Sequence, residues 1–535
     1  MKRTETTREG RTNRAVIQAI VKSKGEWLLV AVIAALGAAF RLWSPKMSAD
    51  LWYDEVFSLF VAQQPFAHML HNLYLGIPTG VGIDPGDTNP PLYTVLLHLW
   101  MKMGSSDSHV KHLSLVFGVA SIWAMWLLVR RVAGKLGGLV SCLLLAVSPL
   151  AIYYSIEARP YAMFLFFSLL STFFFLSAIG KADLEERNTS SSSLMPAGYL
   201  VATILAVYTH WFGLLLLPVH AVGLIVYRPA SARSVRRYFL SLMAIGCCCV
   251  PLVPFLWNQI RLQSAVGGFT WPARPGLGSL LELVLLAAGG QSLLALTAAF
   301  FLIAYLSKND QMVEQGRRLR NGNMFFIAYV LLPVILVYAA SALMAHYTFF
   351  VPRYFLPFLA GVYVLIGLAM SRIELKTALA WVLVFVLVSS FEAIRSWQPP
   401  ANPYSRLASE LSLRDEPGVL IAHLSPMSYY PVVHYRRNSA ATDKVLWNPA
   451  SGRGYLFDYN LGGKMLGQND LVEVGTELRK YREIWIVADP VGADPETEAL
   501  GEWLRNDEDL SLVSEERIGQ VSLKHYRLRS AAPRP

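Results

Sequence analysis

Apolar runs long enough to cross a lipid bilayer recur between Trp27 and Phe391. A hydrocarbon core of about 30 Å is crossed by about 20 apolar residues in a helix. Lipid offers no hydrogen-bonding partner to a bare backbone amide, so each run must be helical. Only 16% of the residues are charged, against about 25% in soluble domains. We predict about eleven spans, near Trp27–Trp43, His112–Val129, Leu136–Tyr154, Pro160–Ile179, Pro196–Thr209, Phe212–Tyr227, Tyr238–Trp257, Ser292–Leu306, Met324–Met344, Tyr354–Met370 and Leu375–Phe391.

Basic residues predict the orientation of these spans. Lys and Arg crowd the segment before the first span and every second connection after it, at Arg130-Arg131, Lys181/Arg187, Arg228–Arg237, Lys308–Arg320 and Arg372/Lys376. Cytoplasmic loops carry this excess of Lys and Arg, so we predict that the N-terminus lies in the cytoplasm. The membrane is predicted to be the plasma (inner) membrane. With an odd number of spans the C-terminal segment lies outside. The net charge of +10 therefore reflects topology, and we predict no nucleic-acid partner, whose signature is a basic stripe on a soluble domain.

The pattern of apolar and basic residues divides the chain into three predicted parts. Residues 1–25 form a basic cytoplasmic N-terminus, residues 26–397 a transmembrane domain and residues 398–535 an extracytoplasmic α/β domain. The first outer loop, residues 44–111, is long enough to hold amphipathic interfacial helices at Leu51–Val61 and Pro91–Met103. In the last part we predict strands at Gly418–Ala422, Glu483–Ala488 and Val521–Arg527 and helices at Pro403–Leu413, Val472–Tyr481 and Glu496–Arg505.

Two adjacent carboxylates, Asp54 and Glu55, follow the first span. Ionisable groups close to the hydrocarbon are costly to keep and usually mark function. Neighbouring residues of a helix point about 100° apart, so one carboxylate is expected to face a cavity as an acid/base group while the other orients it or holds a metal. The alternative is a solvated helix start, where acidic side chains meet the N-terminal dipole favourably.

Arg159 precedes Pro160 at the outer entrance of a predicted span, and Arg353 follows Pro352 at another. A helix N-terminus and a guanidinium both favour an anion, and the planar fork of Arg matches phosphate oxygens. We therefore predict that both arginines bind phosphate. The alternative is an arginine that extends its head group to the interface without a ligand.

Three further positions lie on the same predicted side. His210, at a tight turn between two short spans, suits the positioning of a substrate hydroxyl or proton transfer. Asp84 and Asp87 lie in a loop of turn-forming residues and offer oxygen ligands to a divalent cation such as Mg or Mn. The same loop composition also explains them without a metal. Because the Lys/Arg pattern independently places all of these residues outside, we predict a single extracytoplasmic active site.

The order of these motifs resembles that of the GT-C fold glycosyltransferases of the protein mannosyltransferase and aminoarabinose transferase kind (glycosyltransferase family 39). Five segments carry the resemblance across residues 27 to about 395, in this order: Trp52-Tyr53-Asp54-Glu55, Asn89-Pro90-Pro91-Leu92-Tyr93, Glu157-Ala158-Arg159-Pro160-Tyr161, Thr209-His210-Trp211-Phe212 and Arg353-Tyr354-Phe355-Leu356-Pro357.

The resemblance implies an enzyme that takes a sugar from a polyprenyl-monophosphate donor and passes it to an extracytoplasmic acceptor, which is a protein, a glycolipid or a cell-envelope glycan. It implies that Asp54 is the catalytic base with Glu55 in support, that Arg159 binds the lipid phosphate, and that Tyr161, His210 and Asn89 bind substrate. Relatives often have His where this chain has Asn89. An amide is a poorer transition-metal ligand, so any ion is expected to be hard and oxygen-bound.

Three other functions fit parts of the pattern. A polysaccharide polymerase or ligase with a lipid-diphosphate donor would call for more outer cations than Arg159 and Arg353. A lipid or solute transporter would show inverted repeats with interrupted helices at matching positions, and we find none in the sequence. A non-enzymatic membrane scaffold would leave the placement of Asp54 and Arg159 without a purpose.

Overall fold

The computed structural model describes residues 25–75, 77–79, 82–84, 89–182, 194–228, 232–265, 274–307, 316–344, 348–395, 403–436, 441–447, 471–475, 477–490 and 495–529. The helices of its first part are α1 (Gly25–Leu42), α2 (Pro45–Ser48), α3 (Tyr53–Gln63), α4 (Phe66–Leu75), α5 (Leu92–Trp100), α6 (Asp107–Val147), α7 (Pro149–Ser155), α8 (Tyr161–Ala182), α9 (Leu194–Thr209), α10 (Leu216–Tyr227), α11 (Ala232–Cys249), α12 (Leu252–Ala265), α13 (Leu277–Ala288), α14 (Gln291–Leu306), α15 (Gly316–Leu343), α16 (Leu356–Leu359), α17 (Gly361–Ala369) and α18 (Leu375–Arg395). Short 3-10 turns lie at Trp211–Leu215, Pro352–Phe355 and Met370–Arg372.

These helices make the chain a multi-pass membrane protein. Within the ranges given above, six segments are long and apolar enough to cross a membrane, in α1, α6, α8, α15, Pro352–Ala369 and α18. Two bent pairs add to them: α11 with α12, bent by 66°, and α13 with α14, bent by 79°. Each predicted span overlaps one of these helices or the shorter α9 and α10, and the number of crossings stays a prediction.

Helix α6, a 41-residue element, contains the predicted span His112–Val129 and most of Leu136–Tyr154, whose end lies in α7. Gly134 separates them, with φ 78° and ψ −170°, a conformation that only glycine adopts readily. The helix therefore changes direction at Gly134, and its two halves correspond to the spans predicted at His112–Val129 and Leu136–Tyr154.

Helices α6 and α17 cross at a contact between two glycines. A methyl group added at Gly367 would lie 2.3 Å from Ser141 Oγ and 2.9 Å from Val129 Cγ1, and one added at Gly137 would lie 2.7 Å from the Gly367 carbonyl oxygen. Small residues at such crossings let membrane helices approach closely.

We expect Gly367→Ala to destabilise the bundle by about 1–3 kcal/mol, because the added methyl overpacks this crossing. The matched control is Gly246→Ala in α11, where the added methyl meets no atom within 4 Å. Thermal unfolding of both variants in the same lipid checks this. Equal midpoints for the two variants would contradict the close packing of α6 on α17.

The segment between α1 and α6 contains the two predicted helices as α3 and α5, with α4 and an antiparallel pair of short strands, β1 (Ile77–Thr79) and β2 (Gly82–Asp84), between them. The residues of α3 from Tyr53 to Leu59 are all buried. Tyr430 of the C-terminal domain packs on Tyr53 and Phe57, while the segment before α8 contacts the acidic side chains of α3. The position of α3 at the membrane interface stays a prediction.

The C-terminal part is an α/β domain, and its described residues form a six-stranded sheet in the order β5-β4-β3-β6-β8-β7. Its elements are α19 (Tyr404–Ser412), β3 (Val419–His423), α20 (Pro426–Tyr435), β4 (Thr442–Trp447), β5 (Leu471–Glu473), β6 (Glu483–Ala488), α21 (Pro495–Asn506), β7 (Leu510–Ile518) and β8 (Val521–Leu528). Strands β3 to β6 are parallel, with Leu420 opposite Ile484, and β8 and β7 extend the sheet antiparallel. All five residues of β3 are buried, as expected for a strand covered on both faces.

The three predicted strands and the helices at Pro403–Leu413 and Glu496–Arg505 are confirmed within one or two residues. The helix predicted at Val472–Tyr481 is wrong, because this stretch holds β5 and a 3-10 turn at Leu478–Lys480. Pairing with β4 overrides the helical spacing of its apolar residues.

The C-terminal domain and the segment between α1 and α6 lie on the same face of the bundle. A single hydrophobic cluster joins residues of α3, such as Val56 and Leu59, to residues of the domain, such as Leu420 and Tyr430. We call this side of the bundle the domain face.

Candidate active site

Asp54 lies between two arginines at the domain face. Its Oδ2 atom is 3.4 Å from Nη2 of Arg353 and 3.9 Å from Nε of Arg159. Asp54 and Arg159 are buried, with 3% and 4% of their surfaces exposed, and the Arg353 side chain is 19% exposed. The structure thus brings together three residues that lie 105 and 194 positions apart along the chain (159 − 54 and 353 − 159).

Arg159 is fixed by contacts at both its side chain and its backbone. Its Nη1 donates to Ser58 Oγ at 2.8 Å and to the Asp54 carbonyl at 3.4 Å. Its own carbonyl accepts from Ser114 Oγ at 3.0 Å, and that hydroxyl lies 3.0 Å from the Tyr93 hydroxyl. Residues of α3, α5 and α6 therefore set the position of the guanidinium beside Asp54.

Arg353 lies in the 3-10 turn Pro352–Phe355, where its guanidinium is 5.7 Å from the ring of Tyr161 and 5.8 Å from the ring of Tyr354. These rings stack with their centroids 6.2 Å apart. The two distances from the guanidinium to the rings are in the range of a cation–π contact. These contacts keep Arg353 directed toward Asp54. Tyr161, predicted to bind substrate, therefore lines the same site.

His210 packs behind these tyrosines. Its ring stacks on Phe164 at 5.1 Å and lies 4.7 Å from the Tyr354 ring. Its Nδ1 accepts a hydrogen bond from the Phe212 amide at 3.1 Å, at the start of the 3-10 turn Trp211–Leu215. An accepting Nδ1 places the proton of the neutral ring on Nε2, so Nε2 is the atom able to donate to a ligand.

Glu55 points away from the two arginines. Its Oε1 accepts from the Ala158 amide at 2.8 Å and its Oε2 from the Trp52 amide at 3.2 Å. Burial raises the pKa of the Glu55 carboxyl above its ordinary value. Both oxygens are engaged by backbone, so Glu55 joins the start of α3 to the segment that carries Arg159. These contacts favour the supporting role and leave Asp54 as the candidate base.

Buried charges that the sequence analysis did not single out surround Glu55. Lys46 pairs with Glu157 at 3.3 Å, and Lys111 Nζ donates to the carbonyls of Lys46 and Ala49 at 2.8 and 2.7 Å. Burial alone lowers the pKa of Lys46, but the Glu157 carboxylate and Tyr153 raise it above the ordinary value. Lys111 could have been identified from the sequence, because it is a single lysine at the start of an apolar run.

A metal site at Asp84 and Asp87 stays a prediction. The side chain of Asp84 and the whole of Asp87 lie outside the described residues, and Asn89 is buried just before α5. In the part of the chain that the structure describes, no three His, Cys, Asp or Glu side chains form a group suited to a metal ion. Asp54 faces two cations, Glu55 faces amides and Glu157 faces Lys46, so these carboxylates are not a donor set for a divalent cation.

Residues 88–257 match the dolichyl-phosphate-mannose-protein mannosyltransferase family. This region carries Asn89, Arg159, Tyr161 and His210. No curated protein matches the chain.

Solved structures match over nearly the whole length. ArnT from Cupriavidus metallidurans in the apo state superposes with a TM-score of 0.61 at 14% identity, over 94% of this chain and 98% of that chain. The chain has the GT-C glycosyltransferase fold. The same protein bound to undecaprenyl phosphate gives 0.57 at 13% identity, over 95% of this chain and 99% of that chain.

The oligosaccharyltransferase of Archaeoglobus fulgidus, in complex with Zn and sulfate, superposes with a TM-score of 0.52 at 12% identity, over 86% of this chain and 67% of that chain. The resemblance to GT-C glycosyltransferases drawn from the sequence is therefore confirmed, together with the helical membrane fold and its C-terminal α/β domain. The roles of individual residues rest on the geometry of this GT-C protein itself.

Proposed function

We propose that this GT-C protein is an integral-membrane glycosyltransferase that moves a sugar from a polyprenyl-monophosphate donor to an extracytoplasmic acceptor. The family match at residues 88–257 and the undecaprenyl phosphate bound by a structural neighbour support the donor class. The Lys/Arg pattern supports a cytoplasmic N-terminus and an outward domain face in the plasma (inner) membrane.

The observation that carries the proposal is the position of Asp54 between Arg159 and Arg353. The acceptor hydroxyl must lose its proton as it attacks the anomeric carbon, and a fixed carboxylate accepts such a proton. Asp54 is the group that does so here. Glu55 holds the start of α3 through its two backbone contacts, which fixes the direction of the Asp54 side chain.

The leaving group is a polyprenyl phosphate, which gains negative charge as the bond to the sugar breaks. Arg159 and Arg353 offer guanidinium groups to that charge in a buried site, where fixed donors stabilise a transition state more than they do in water. Two arginines suit a monophosphate. A single displacement of this kind inverts the configuration of the anomeric carbon.

A buried hydroxyl supports the presence of a polar ligand. Among the described residues, the Tyr161 hydroxyl is buried and makes no hydrogen bond to the protein. A buried polar atom without a hydrogen bond costs about 1–3 kcal/mol, and a sugar hydroxyl or a phosphate oxygen would remove that cost. Tyr161 and His210 Nε2 are the groups we assign to contact the donor or acceptor, with Asn89 as a further substrate-binding residue.

A divalent cation at Asp84 and Asp87 stays a prediction. The proposed reaction is described with Asp54, Arg159 and Arg353, and none of its steps involves Asp84 or Asp87.

The test uses the purified full chain in lipid with a panel of radiolabelled polyprenyl-phosphate sugars. We expect acceptor-dependent release of free polyprenyl phosphate from one of them. Release only from polyprenyl-diphosphate donors would favour the polymerase or ligase, and passage of intact lipid across the bilayer without sugar transfer would favour a transporter. Either outcome would overturn the proposal.

A further inference from the structure

The C-terminal domain contacts the segment that leads into α3. The Ser405 amide, in the first turn of α19, donates to Asp50 Oδ2 at 2.7 Å. The Tyr435 hydroxyl, at the end of α20, accepts from the Leu51 amide at 2.8 Å. These bonds hold residues 50 and 51, and Asp54 follows within the first turn of the helix.

The Tyr435 hydroxyl also ties the domain to the membrane bundle. It donates to Asp107 Oδ2 at 2.5 Å, and His434 Nε2 lies 3.1 Å from Asp107 Oδ1. Asp107 is the first residue of α6, the helix whose Lys111 holds the carbonyls of Lys46 and Ala49. One hydroxyl therefore connects α20, the start of α6 and the segment before α3.

Aromatic packing completes the contact. The Tyr430 ring lies 5.8 Å from the Tyr53 ring, 6.3 Å from Phe57 and 5.9 Å from Phe60. Tyr53 is the first residue of α3 and immediately precedes Asp54. The aromatic side of α3 is thus covered by α20.

This arrangement solves an electrostatic difficulty of the proposed mechanism. A carboxylate attracts neighbouring guanidinium groups strongly in a buried site. When the donor phosphate binds, it competes with Asp54 for the two guanidinium groups, while Asp54 must stay at the acceptor hydroxyl. A rigid attachment of α3 to a second domain keeps Asp54 in place during that competition.

We infer that the C-terminal domain is a positioning part of the active site, with Tyr435 as the positioning residue that fixes α3 and hence Asp54. The inference rests on the proposed function and extends it, because it gives the C-terminal domain a role in turnover. Tyr435 acts through Leu51 and Asp107 and touches no substrate itself.

The test compares Tyr435→Phe with Tyr404→Phe in the full chain in lipid nanodiscs. Tyr404 is the matched control, since its hydroxyl also donates to a carboxylate, Asp489, at 2.6 Å, but within the C-terminal domain. Small misplacements in an active site cost up to about 100-fold in rate. We expect Tyr435→Phe to lower kcat by about 10- to 100-fold with the donor KM nearly unchanged, and Tyr404→Phe to leave kcat close to wild type.

Hydrogen exchange provides a second measurement that does not depend on sugar transfer. We expect the amides of residues 50–63 to exchange faster in Tyr435→Phe and unchanged in Tyr404→Phe. Asp50→Ala, which removes the acceptor of the Ser405 amide, is expected to reproduce the faster exchange if Tyr435→Phe does not fold. Equal losses of kcat in the two tyrosine variants, or unchanged exchange in Tyr435→Phe and Asp50→Ala, would overturn the inference.

The two proposals fail separately. If the wild type transfers no sugar from any donor, the proposed function is wrong, whereas exchange at residues 50–63 still decides whether the domain holds α3. If transfer occurs but Tyr435→Phe matches wild type in both kcat and exchange, only the positioning role is wrong.

Discussion

Asp54→Asn is expected to lower the rate of sugar transfer by about 10²- to 10⁴-fold, the contribution of a positioned general base. The amide keeps the size of the carboxylate but does not accept the acceptor's proton. Binding of polyprenyl phosphate should persist, because Arg159 and Arg353 remain and lose a competing anion at 3.4–3.9 Å. Single-turnover transfer and equilibrium binding of polyprenyl phosphate, measured on the same preparation in lipid, separate the two effects.

The neighbouring carboxylate supplies the control for this experiment. Glu55 accepts from the Ala158 and Trp52 amides, so Glu55→Gln should lower thermal stability more than it lowers transfer per folded molecule. If Glu55→Gln lost transfer as severely as Asp54→Asn while remaining stable, the assignment of the base to Asp54 would be wrong. A wild-type rate of sugar transfer in Asp54→Asn would contradict the proposed mechanism as a whole.

Arg159→Ala should lower transfer by about 10²- to 10³-fold, as does the loss of one preorganised donor in other active sites. It should also weaken the binding of polyprenyl phosphate, which is measurable without any sugar. Arg159→Lys should recover little, because one ammonium cannot bind Ser58 and a phosphate with the fixed fork of Arg. One guanidinium nitrogen of Arg159, Nη1, already donates a hydrogen bond to Ser58 Oγ.

The control for Arg159→Ala is Arg395→Ala, which removes a cation that is exposed at the end of α18. It should leave both transfer and binding within about twofold of wild type, since exposed charges contribute little. Unchanged affinity for polyprenyl phosphate in Arg159→Ala would show that this arginine only supports α3.

Much of this site could be predicted because charges are expensive beside a bilayer. Asp54, next to Glu55, and the arginines Arg159 and Arg353 stand out in the sequence as ionisable residues near the ends of apolar runs. The period of those runs predicted helices, and the Lys/Arg pattern predicted that the three residues share one side. Contact between them was not predictable, since Arg353 reaches Asp54 through tertiary packing that includes the rings of Tyr161 and Tyr354.

The division of labour between Asp54 and Glu55 also depends on tertiary structure. Two adjacent carboxylates are equivalent in a sequence, and the Ala158 amide, 103 positions from Glu55, is what gives them different surroundings. The error at Val472–Tyr481 has the same origin, because a three-residue strand exists there only by pairing with β4.

The amino-acid sequence alone determined that this chain crosses a membrane as helices and places a carboxylate and two arginines on one side, because hydrocarbon excludes bare amides and charges. Only the tertiary structure decided which carboxylate faces the arginines and that the C-terminal domain holds α3. Those outcomes depend on contacts such as Tyr435 with Leu51 and Asp107, between residues more than 300 positions apart, which no local pattern encodes.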